Sequence, residues 1–208
     1  MEEKPQTVSL RYYGISPWEI EVIYNIFNEK FEVIQDVTER NEYFKGWNAG
    51  SREEFVSALT ITIPLPFSEE FFKWFGFKAW EKVKSIIKEM KRRRGNGKAI
   101  RVEFIFDNEE WHKLRGVILS DNAEILPDYP HVKFAIESSE NHNFNSAIEK
   151  IDFVVELLPY HLNDNNIPNN LSEAVYKYDI ESGKWRLNSA LAGQEKFVLT
   201  KKGWNIVT

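Results

Sequence analysis

VSALTITIPLPFSEEFFKWFGFKAWEKVKSIIKEMKRRRGNGKAIRVEFIF, residues 56–106, carries the reading of the fold. Residues 56–67 are almost continuously apolar, the pattern of a central strand buried on both faces. Pro64 and Pro66 end it, because proline cannot donate to a ladder. AIRVEFIF, residues 99–106, alternates apolar and polar positions as a second strand does. The residues between predict one long helix. Ser68 is placed to cap it, Glu69 and Glu70 suit the positive end of its dipole, and Phe67 with Phe72 can form a hydrophobic staple.

At 100° per residue, Phe72, Phe75, Ala79, Trp80, Val83, Ile86, Ile87 and Met90 share one arc, opposite Lys73, Lys84, Lys88 and Lys91. Phe71, Trp74 and Phe77 project from a different arc. Burying each is worth about 2 kcal/mol, and a wet patch of all three is one that monomers avoid. Either other parts of the chain cover them, or Gly76 breaks the helix, or a partner does so. The partner reading makes Phe71, Trp74 and Phe77, with Trp47 from the preceding loop, a docking surface for another protein.

Towards the N-terminus, residues 7–14 read as a strand. Ser16, Pro17 and Glu19 predict a capped helix start with a capping box, and apolar spacing carries that helix to Phe31. FEVIQ, residues 31–35, is a short strand, and residues 36–54 form a long loop whose Tyr43, Phe44 and Trp47 either pin it to the core or serve function. Towards the C-terminus, residues 111–120 pair with 99–106 as a hairpin across DNEE, and residues 131–138 form a further strand. A helix spans residues 145–158 until Pro159 stops it. Residues 163–170 are the one candidate boundary, and two hairpins follow. The expected fold is α+β: a mixed, mostly antiparallel sheet with about three packed helices, a core over 1–162 and a β-hairpin-rich extension over 163–208 packed on it.

Composition sets the functional bounds. The 208 residues are 42% hydrophobic and 14% aromatic, ample for a core, and contain no Cys, which removes disulfide and thiolate chemistry. The first residues lack a secretory pattern and no run of ~18 apolar residues occurs, so the expected location is cytoplasmic. The net charge of -5 is uneven: residues 73–101 hold eleven Lys and Arg against two Glu, a local +9 that leaves -14 elsewhere. Arg92, Arg93, Arg94 and Lys98 therefore form an alternative binding site for an anionic membrane surface or nucleic acid, set against the simpler role of cations at a helix C-terminus.

Catalytic chemistry finds little support. Gly97 and Lys98 lack the rest of a phosphate loop, since Arg92 replaces its first Gly and Ala99 its Ser or Thr. His112, His131, His142 and His161 are scattered, with neither H-E-x-x-H nor Cys to build a zinc site. Asp107, Glu109, Glu110 and His112 form the densest titratable cluster, a pattern that wet turns also produce. The sequence reads as a non-enzymatic interaction module, an adaptor, inhibitor or immunity-like protein, with no cofactor and no metal. An enzyme with dispersed catalytic residues is the remaining class.

Overall fold

The computed structural model describes residues 6–44, 55–107, 130–162, 171–192, 194–200 and 203–207. The fold is α+β. In chain order the elements are β1 (Thr7–Tyr13), α1 (Pro17–Asn28), β2 (Glu32–Val37), α2 (Arg40–Tyr43), β3 (Phe55–Ile63), α3 (Glu69–Phe75), α4 (Phe77–Arg94), β4 (Ala99–Phe106), β5 (His131–Ser138), α5 (Asn141–Glu149), α6 (Val154–Leu162), β6 (Glu173–Asp179), β7 (Lys184–Ala192), β8 (Glu195–Thr200) and β9 (Gly203–Val207). The strands form a single sheet in the order β2-β1-β3-β4-β5-β6-β7-β8-β9.

Three successive units have one plan, a strand, its helices and a parallel neighbour: β1-α1-β2, β3-α3-α4-β4 and β5-α5-α6-β6. The units join through antiparallel pairs, β1 with β3 and β4 with β5, and β6 to β9 continue as an antiparallel run. The sequence predicts a hairpin of residues 99–106 with 111–120. Both edges of β4 are instead occupied, by β3 and β5, and residues 111–120 lie outside the described residues. The strands beyond residue 171 extend the same sheet, since β6 pairs in parallel with β5.

One face of the sheet carries Val8, Leu10, Leu59, Ile61, Val102, Phe104, Phe134 and Tyr176, all sealed beneath α1 and α3 to α6. On the opposite face α2 brings Tyr43 and Phe44 against Tyr13, Phe55 and Ala58, a small second core. Those two aromatics thus pin the chain after β2, while Trp47 lies outside the described residues. The start of α1 forms as its residues dictate: Ser16 accepts from the Glu19 amide, and the Glu19 carboxylate accepts from the Ser16 amide at 3.0 Å.

Two helices depart from expectation. Gly76 adopts φ +98, a conformation that favours glycine, and divides the predicted long helix. Its amide closes α3 on the Phe72 carbonyl, and its own carbonyl accepts from Trp80 in the first turn of α4. The C-terminal helical segment is also two elements, α5 and α6, and Pro159 lies inside α6 rather than ending it. The proline ring there removes only one backbone bond from a short helix held by the burial of Val154 and Leu158.

Candidate docking surfaces

The redirected chain at Gly76 decides the fate of the three aromatics assigned to a docking face. Phe71 is only 3% exposed: its ring stacks on Phe75 and meets Phe106 edge-on at 5.1 Å. Phe71 is therefore a core residue, and the continuous-helix projection that placed it outside is corrected. Trp74 and Phe77 stay in solvent, at 45% and 58% exposure. Trp74 leans edge-on against Phe31, in the turn between α1 and β2, with the Lys30 ammonium 5.4 Å from its ring centre. Phe77, across the break, lies roughly parallel to Phe72 at 6.3 Å. The surface that remains is a two-ring corner.

The basic end of α4 is largely engaged inside the monomer. Arg94 makes two 3.1 Å bonds to the buried Glu19 carboxylate and donates to the carbonyls of Met90 and Gly14. Burial opposes ionisation of Glu19, but the bonds from Arg94 and Ser16 outweigh it and hold the carboxyl below its ordinary value. Arg92 and Arg93 share Glu89 and pull that carboxyl down to about 2, and Arg93 also sits 4.4 Å over the Trp18 ring. Lys91, fully buried, donates at 2.8 Å to Gly95 O, Ser139 O and Asn141 Oδ1. Lys98 is exposed. Local architecture thus accounts for the run KRRR: it ties α4 to its two neighbouring helices.

The sheet face turned away from α1, α4, α5 and α6 holds a ladder of charges that sequence reasoning did not single out. Arg101 and Glu103 of β4 are buried and paired with each other; Arg101 reaches Glu137, and Lys133 reaches Glu103 at 3.2 Å. Glu103 also accepts from Thr60, whose hydroxyl meets that of Tyr43. Burial opposes the charge on Glu103, yet Arg101 and Lys133 keep its carboxyl below the usual range. The polar positions of the alternating run AIRVEFIF were the available signal. These groups satisfy one another, the arrangement a structural ladder requires.

Of the dispersed catalytic candidates, Asp107 and His131 meet at 2.7 Å across the ends of β4 and β5. His142 lies on α5, and His161 on α6 contacts the Tyr176 hydroxyl at 2.9 Å. Glu109, Glu110 and His112 lie outside the described residues. Among the described residues no group of three or more His, Asp or Glu is placed to hold a metal ion, and no helix is long and apolar enough to cross a membrane.

The far edge of the sheet carries a further apolar surface. Among the described residues α6 is the last helix, whereas the sheet runs on through β8 and β9. Between them opens a cleft of about 680 Å³ lined by Phe153, Leu157, Trp185, Leu187, Leu199 and Trp204, with Lys150 at its margin. The signal was present: Phe197 and Leu199 pair with Ile206 and Trp204 on one face of a hairpin, and among the described residues no helix follows α6. No family model, curated protein or solved structure matches this chain.

Proposed function

We propose that the protein is a non-enzymatic protein-binding module that docks through Trp74 and Phe77 at the α3–α4 corner. The observation that supports this reading is the exposure of both rings in a chain whose other central aromatics, Phe67, Phe71, Phe72, Phe75 and Trp80, are sealed. Large, rigid side chains at an exposed corner are the residue types that anchor interfaces. Lys73 is paired with Glu69 at 3.0 Å, whereas the Lys30 ammonium stands by the Trp74 ring and the exposed Lys78 follows Phe77, two cations that favour an acidic group in the partner.

The test is capture of a partner by the purified protein, compared with Trp74→Ala and Phe77→Ala. Both substitutions remove side chains that are about half hydrated, so thermal stability should change by only about 1 kcal/mol. Retention of the partner should fall by tenfold or more. Unfolding of both variants, or undiminished capture by both, would refute the assignment.

A further inference from the structure

We draw no further inference here: the strongest candidate, the apolar cleft of about 680 Å³ between α6 and the β7–β9 run, presents Phe153, Leu157, Leu199 and Trp204 with nothing in the structure to show what covers them.

Discussion

Removing the carboxylate of Glu19 should be among the most damaging single changes outside the apolar core. Glu19 accepts four bonds, from the amide and hydroxyl of Ser16 and from both terminal nitrogens of Arg94, and the carboxylate itself is only 2% exposed. Glu19→Ala loses its half of the capping box, about 1 kcal/mol, and strands a largely buried guanidinium, for which broken buried pairs cost about 3–5 kcal/mol. Some hydration still reaches Arg94, which places the expected total near 3 kcal/mol, or roughly 6–12 °C in Tm for a domain of this size. Glu19→Gln keeps an acceptor for the Ser16 amide and should cost about half as much. Arg94→Met retains packing but isolates the carboxylate, and in the Glu19→Gln/Arg94→Met double mutant the losses should fall short of their sum by about 1–3 kcal/mol. The assay is urea unfolding followed by tryptophan fluorescence at neutral pH. Additive losses, or a Glu19→Ala shift under about 2 °C on the scale used above, would refute the claim that this ion pair holds α1 to α4, and would return Arg94 to the pool of cations free for an anionic ligand.

Three further outcomes follow from the same structure. Because the folded-state pKa of Glu19 is depressed, first against burial and then by Arg94 and Ser16, its stabilisation is complete above the ordinary carboxylate value of about 4.3 and fades as pH falls through the lowered one; wild type should lose more stability than Glu19→Gln on acid titration. Gly14→Ala would set a Cβ 2.6 Å from the Val56 carbonyl oxygen at φ +63, which should cost on the order of 1–3 kcal/mol in the same unfolding assay. Trp80 is fully buried against Phe71, Phe72 and Phe104, and its ring nitrogen has no hydrogen-bond partner among the described residues. Trp80→Ala should therefore cost about 3–5 kcal/mol, and Trp80→Phe, which also removes the unpaired N–H, distinctly less.

Local chemistry was the most legible part of the fold. Ser16, Pro17 and Glu19 predicted the start of α1, Ser68 that of α3, and the apolar run 56–67 a strand with neighbours on both sides, which β1 and β4 supply. Residues 31–35 and 131–138 also form strands, β2 and β5. Partner choice was less legible, because a strand's residues do not state whether the next strand turns back or is reached through a helix, and three parallel pairs came about in the second way. The aromatic corner shows a different limit. Helical periodicity persists in the residues across Gly76, so a wheel drawn through it looks continuous, yet one φ angle rotates Phe71 inwards and leaves Trp74 and Phe77 outside. Charge counting misled for a related reason. A local +9 describes composition, whereas Glu19, Glu89, Glu149 and Asp152 reach it from other turns and other helices.

The alternation of strand direction from one unit to the next fixes how the helices meet. Because β3 opposes β1 and β5 opposes β4, α4 runs counter to both α1 and α5, as the Arg94–Glu19 contact and the Lys91–Asn141 and Lys84–Asp152 contacts trace out. The carbonyl-rich tail of α4 thus abuts the amide-rich heads of two neighbours, and four consecutive cations sit at that three-way junction. KRRR acts as a clasp: lengthening α4 by even one residue would swing Lys91 and Arg94 by about 100° and unfasten both seams at once, so the length of this helix should tolerate insertion less readily than its surface tolerates substitution.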